Sequence, residues 1–136
     1  MRGISLWQPH ASLWLSVAKV HETRGWATKY RGPLLVHAAK RIVTQVDSRL
    51  NAICVREFGS RWMFDLPLGA LIGKTVLTDC CSTDNFEPLD MDDYICGDFT
   101  PGRFAWRRGT IEVFPRAIPF RGKQGFFNVP DELVPR

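Results

Sequence analysis

ISLWQPHASLWLSVAKVHETRGWATKYRGPLLVHAAK, residues 4–40, is the stretch around which the rest of the chain is arranged. It predicts strand, helix, strand, turn and strand, in that order. Ile4 to Trp7 is a short strand. Gln8-Pro9 ends it, since proline lacks an N–H for a ladder yet suits the first turn of a helix. His10 to Ala18 then places Ala11, Trp14, Leu15 and Ala18 on one face at three- and four-residue spacing, which predicts a short amphipathic helix. VHETRGW alternates as a strand, with Glu22, Arg24 and Trp26 on one side and His21 and Thr23 on the other. Thr28 to Gly32 turns the chain, and Gly32-Pro33 punctuates the turn. Leu34 to Ala38 is apolar and partly β-branched, the pattern of a strand buried on both faces.

Downstream, Thr44 to Gly59 predicts the longest helix. Val43, Val46, Leu50, Ile53, Cys54 and Phe58 follow helical periodicity, and Gly59 is placed to cap its C-terminus. Ala70 to Cys81 predicts a long strand with a bulge or bend at Gly73. Ser82 to Gly102 is rich in acids and turn formers and predicts a loop with at most one helical turn; loops of this length in compact domains are often functional. Arg103 to Arg108 and Thr110 to Phe114 predict a hairpin around Arg108-Gly109, and Pro115 to Phe120 continues an edge strand. Gly122-Lys123-Gln124-Gly125 is a tight turn, and Phe126 to Val129 ends the sheet. About six strands and two main helices, with no regular βαβ alternation, predict an α+β fold built as a small β-barrel.

A chain of 136 residues is expected to form one domain, 1–136, with a core of its own. No apolar run approaches the roughly 18 residues of a membrane span. The opening MRGISLWQPH meets Trp, Gln, Pro and His too early for the apolar region of a signal peptide, so a cytoplasmic protein is expected. The four cysteines, Cys54, Cys80, Cys81 and Cys96, lack metal-ligand spacing and are expected as reduced thiols. Cys80 and Cys81 would point to opposite faces of a strand, a poor clamp for zinc. No metal and no cofactor is expected.

The net charge of +4 conceals a pattern. Residues 1–41 hold seven Lys/Arg against Glu22 alone; residues 78–99 hold seven acids and no base; residues 102–124 hold six bases against Glu112. If the two basic segments meet in space, they form a surface that attracts polyanions; otherwise they are solvated surface.

The residues SLWQPHAS, AKVHETRGWATKYRGPLLVHAAK, GALIGKTVLTDC, FAW and GKQGFF resemble the ASCH domain, the activating-signal-cointegrator homology domain. The most specific piece is a G-x-K-x-x-E-x-R type signature, which reads Val17-Ala18-Lys19-Val20-His21-Glu22-Thr23-Arg24, with Val17 where the family usually has glycine. The resemblance implies a PUA-like barrel and an RNA-related cleft near Lys19, Glu22 and Arg24. Members differ in activity: some are binding modules, one bacterial branch deacetylates N4-acetylcytidine, and nuclease activity has been proposed for others. The deacetylating branch has a threonine three residues after the lysine. Here that residue is Glu22, so its amidohydrolase activity does not carry over.

The first expectation is therefore a module that binds RNA, single-stranded nucleic acid or a modified nucleoside. Lys19, Arg24, Trp26, Tyr30, Lys40 and Arg41 are its candidate contacts. An Arg fork reads a phosphate or a base edge, a neighbouring carboxylate accepts from an exocyclic amine, and aromatic faces stack on unpaired bases. The alternative is a metal-independent hydrolase of RNA or a modified nucleoside, of ribonuclease or amidohydrolase type. In it Glu22 would be the general base acting on a water, with Lys19 or Arg24 stabilising developing charge. The bland reading of Glu22 and Arg24 is a structural ion pair at a barrel mouth, and that of His37 a satisfied core histidine. A small-molecule or protein-binding domain reusing the fold is a third reading. Oligomeric state is not readable from the residues.

Overall fold

A computed structural model describes residues 1–135. Its strands are β1 (Arg2–Gln8), β2 (His21–Arg24), β3 (Gly32–Ile42), β4 (Ala70–Ser82), β5 (Phe104–Pro119) and β6 (Phe126–Asn128). Its helices are α1 (His10–Trp14), α2 (Ser48–Phe58), α3 (Trp62–Asp65) and α4 (Met91–Ile95). One sheet holds all six strands in the order β2-β5-β4-β3-β1-β6. β1 and β3 are parallel, joined through α1 and β2, and every other pairing is antiparallel.

The fold is α+β, but the expected closed barrel is not formed: the edge strands β2 and β6 do not pair. A flat six-stranded sheet would hold its edges about 24 Å apart. Instead the ring of Trp26, just past β2, lies 5.5 Å from that of Phe126 in β6, and 4.7 Å from that of Trp106 in β5. The sheet curls until its edges meet through aromatic rings, which occupy the space that a closing ladder of hydrogen bonds would need.

The core has three parts. Ile4, Leu6, Leu34, Val36, Ile72, Leu77 and Trp106 meet Ala11, Trp14 and Leu15 of the α1 segment on one face of the sheet. Leu35, Leu71, Phe114, Phe127 and Val129 form a second cluster. Leu34 and Val36 thus serve one cluster and Leu35 the other, so β3 is buried on both faces as its sequence predicts. Leu13 and Ala18 look away, toward Leu50, Ile53 and Cys54 of α2, with Trp62 and Cys96.

Three elements differ from expectation. Helix α2 begins at Ser48 rather than Thr44, because Asp47 caps it by accepting the Leu50 N–H at 2.8 Å. Helix α1 is a single short turn ending at Trp14. The hairpin around Arg108-Gly109 does not exist: β5 runs unbroken beside β4, from Ser82↔Phe104 to Ala70↔Pro119. Leu77 opposes Arg108 and Thr75 opposes Ile111, so one β4 residue faces two on β5. Gly109 marks a bulge, not a turn. The irregularity expected at Gly73 is present, and a side chain there would collide with the Glu112 carbonyl and Leu15. The acidic loop contains the one turn of helix α4. Among the described residues no helix is long and apolar enough to cross a membrane, and all four cysteines are free thiols.

Candidate nucleic-acid interface

The turn from α1 into β2 carries Lys19, and two buried devices hold it. Arg108, in the β5 bulge, donates to the Lys19 carbonyl at 3.0 Å and to the Ser16 carbonyl at 2.6 Å. Asp93, in α4, accepts the N–H groups of Val20 and His21 at 2.8 and 2.9 Å, the His21 ring Nδ1–H at 2.7 Å and the Leu89 N–H at 3.0 Å. Burial alone would push the Asp93 carboxyl up, but these donors outweigh it and bring it down to about 2. The acidic loop therefore has a structural role through Asp93, which fastens the start of β2. Trp14, fully buried, donates its indole N–H to the Val20 carbonyl at 3.1 Å and closes the same turn from below.

With its backbone fixed, Lys19 extends along the floor of a cleft. Its Nζ lies 2.6 Å from Glu22 Oε1 and 3.2 Å from His10 Nδ1. An ammonium only donates, so His10 Nδ1 must carry a lone pair and the imidazole is neutral. The Lys19 charge, with burial second, holds His10 down at about 4. Burial pushes the Glu22 carboxyl up, but Lys19 foremost, with Arg24, more than offsets it, and Glu22 stays ionised below its ordinary range. Arg24 approaches Glu22 Oε2 at 3.4 Å, and its guanidinium lies 5.5 Å from the Trp26 ring. Arg24 Nε is buried without a hydrogen-bond partner, whereas Arg103 Nε, also without a hydrogen bond, lies 3.5 Å from the Asp98 carboxylate. Such orphaned donors are uncommon and call for an explanation.

The cleft has a volume of about 1220 Å³. Lys19, Arg24, Lys40, Arg103, Arg121 and Lys123 line it, against two carboxylates, Glu22 and Asp98. The two basic segments of the sequence do meet here: Lys19, Arg24 and Lys40 come from the first, Arg103, Arg121 and Lys123 from the second. Of the residues singled out from sequence, Lys19, Glu22, Arg24, Trp26 and Lys40 share this cleft; Tyr30 and Arg41 do not line it. The Tyr30 ring is covered by Arg2, 4.2 Å from its centroid, and its hydroxyl donates to the Pro33 carbonyl at 2.5 Å. Arg41 points its guanidinium toward Trp7, 5.9 Å from the ring. Trp26 is half-buried, packed edge-on against Trp106 and Phe126, and so offers less free face than an open stacking platform.

Sequence reasoning missed several lining residues. Trp7 is 49% exposed at the cleft. Alternation along β1, with Leu6 inward, could have found it. His10 reads locally only as a helix start. Arg103, Arg121 and Lys123 register in the sequence only as charge, because nothing local tells which side of a loop faces β2. His37 reaches the cleft but is fully engaged. Its Nε2 donates to the Phe120 carbonyl at 2.6 Å, and its Nδ1 accepts from Ser5 Oγ at 2.9 Å.

Comparison with curated proteins finds no match. A model of the ASCH domain family matches residues 4–106, which run from within β1 through β4, hold the signature Lys19, Glu22 and Arg24, and reach Trp106 in β5. The chain belongs to the ASCH domain family.

Proposed function

We propose that this ASCH domain binds single-stranded RNA in the cleft, with one unpaired base brought down to Glu22 and the strand's phosphates held by the cationic rim. The observation that carries this reading is the convergence of both basic segments on one cleft whose floor is the Lys19–Glu22–Arg24 constellation. Membership of the ASCH family is consistent with RNA binding.

The site's chemistry supports recognition over turnover. Glu22 is kept ionised by neighbouring cations, which makes it a durable acceptor and a weak base. An ionised carboxylate accepts from the exocyclic amine of a base, while Lys19 and Arg24 supply donors beside it for a ring nitrogen or carbonyl. At about 1220 Å³ the cleft also exceeds the ~300–1,000 Å³ usual for a single small molecule. That size favours a strand segment over a free nucleoside. The orphaned Nε of Arg24 fits a guanidinium that reorients when a phosphate enters.

The test is a titration of short single-stranded RNA against salt. Affinity should fall steeply, because each phosphate neutralised by Lys or Arg releases condensed cations. Arg24→Ala should weaken binding about tenfold or more, with a thermal melt run in parallel to show that the variant is folded at the titration temperature. A salt-independent affinity, or none at low salt, removes the reading. Cleavage of the RNA, or loss of an acetyl group from acetylated cytidine seen by mass spectrometry, would move the assignment to the hydrolase.

A further inference from the structure

The loop between β5 and β6 has no part in the Lys19–Glu22 constellation, yet Phe120 to Gly125 all line the cleft. Its sequence, Arg121-Gly122-Lys123-Gln124-Gly125, pairs two cations with two glycines. Arg121 and Lys123 are exposed, and neither is in a salt bridge with any described residue. None of the five backbone N–H groups from Arg121 to Gly125 donates to any group of the described residues. A backbone donor is an obligatory hydrogen-bonding group, so these five are free for water or for a ligand.

The loop is not loosely attached. His37 donates from Nε2 to the Phe120 carbonyl at 2.6 Å. A carbonyl only accepts, so the ring proton sits on Nε2, and Nδ1 accepts from Ser5 Oγ at 2.9 Å. Immediately beyond, Gly122 lies flat on the same imidazole: a Cβ there would stand 2.6 Å from His37 Nδ1 and 2.7 Å from Cε1. Only glycine allows that approach. Gly125, at φ +68°, then turns the chain into β6 in a conformation other residues rarely adopt. One buried side chain thus sets how closely a donor-rich, cationic loop sits on the sheet.

We propose that Arg121–Gly125 is a phosphate-gripping loop, which holds a phosphodiester of the bound strand through its free N–H groups and the Arg121 and Lys123 side chains, with His37 as its positioning residue. Consecutive backbone N–H groups beside cationic side chains form a recurrent anion-binding arrangement. The inference rests on the RNA reading above and adds to it a second subsite, for phosphate and not for base, built from the loop between β5 and β6.

The experiment compares variants of the full chain in binding a mixed-sequence ten-nucleotide single-stranded RNA across a salt series. R121A/K123A changes only exposed side chains and should fold normally. Its affinity should fall tenfold or more, and its log–log salt slope should flatten by about one to two units. His37→Leu removes the donor to Phe120 and should reproduce much of that loss although both cations remain. His37→Gln, whose amide can still donate to that carbonyl, should recover most of the affinity. If His37→Leu does not fold, R121A/K123A decides alone. Wild-type affinity and slope in R121A/K123A, with binding still weakened by Arg24→Ala, would overturn the loop's role and leave the cleft reading intact. No RNA binding by the wild type would overturn both.

Discussion

Lys19 Nζ and Glu22 Oε1 are 2.6 Å apart, and both side chains are almost wholly removed from water although they form the floor of an open cleft. Taking two charges out of water is costly, and their attraction offsets that cost only while both are present. Removing both should therefore cost less than the sum of removing each alone. Lys19→Met and Glu22→Gln are each expected to lose about 3–5 kcal/mol of stability, and the double variant less than their sum by about 1–3 kcal/mol. Urea unfolding of the four proteins gives the cycle. Additive losses would mean that the pair is not coupled.

Stability should fall in two stages as pH drops. His10 titrates at about 4 in the folded protein against 6.5 ordinarily. Between those values the unfolded chain takes up a proton that the folded chain refuses, so acid favours unfolding. The loss is about 3 kcal/mol when complete, with most of it present by pH 4. Asp93 titrates at about 2 against 3.8. Its contribution is whole above its ordinary value and disappears as pH falls through the folded one, and the depressed Glu22 acts in the same direction. Urea midpoints at pH 7, 5 and 4 should decline, and His10→Gln should abolish the upper stage alone. A flat profile from pH 7 to 5 contradicts the buried neutral imidazole.

Trp14 and Trp26 should separate in size of effect. Trp14 has no exposure and satisfies the Val20 carbonyl. Its truncation to alanine is expected to cost about 3–5 kcal/mol, a large part of a domain's stability. Trp26 is half-buried between Trp106 and Phe126, where two edge-to-face contacts contribute about 0.5–1.5 kcal/mol each. Trp26→Ala should therefore be milder yet not neutral, since it loosens the contact between the sheet's edges. Thermal melts of the two variants check this. An unchanged melt for Trp26→Ala would mean that the ring does not hold the edges together.

Lys40 and Arg41 are neighbours in sequence but not in position. Lys40 lines the cleft, whereas Arg41 is directed at Trp7 and does not. Lys40→Ala is expected to flatten the salt slope of RNA binding by about one unit, and Arg41→Ala to change it little. Equal effects of the two would place the strand across the outside of β3 instead of in the cleft.

Much of this molecule was legible because its signals are local. Alternation in VHETRGW put Glu22, Arg24 and Trp26 on one side, and all three line the cleft, although Thr23, placed on the other side, reaches its lining as well. Leu34 to Ala38 read as a strand buried on both faces, and neighbouring residues do enter different clusters. Asp47, an N-cap residue type three positions before Leu50, is the local signal for the start of α2. The failures involve partners distant in sequence. Gly109 reads as a hairpin turn only while the uninterrupted β4 beside it is out of view.

The sequence by itself determined the family, the strands of the first half and β4, the sites of α1 and α2, the core role of Trp14 and the signature residues Lys19, Glu22 and Arg24. These follow from spacing and side-chain chemistry within a few residues, which a chain carries wherever it folds. The tertiary structure alone decided that the sheet curls without closing, that Asp93 and Arg108 hold the turn bearing Lys19, and that Arg103, Arg121 and Lys123 face the same cleft as Lys40. Those facts depend on contacts between segments about 70 to 100 residues apart in the chain. Such contacts are set by how three hydrophobic clusters pack at once, and no short stretch of sequence contains that information.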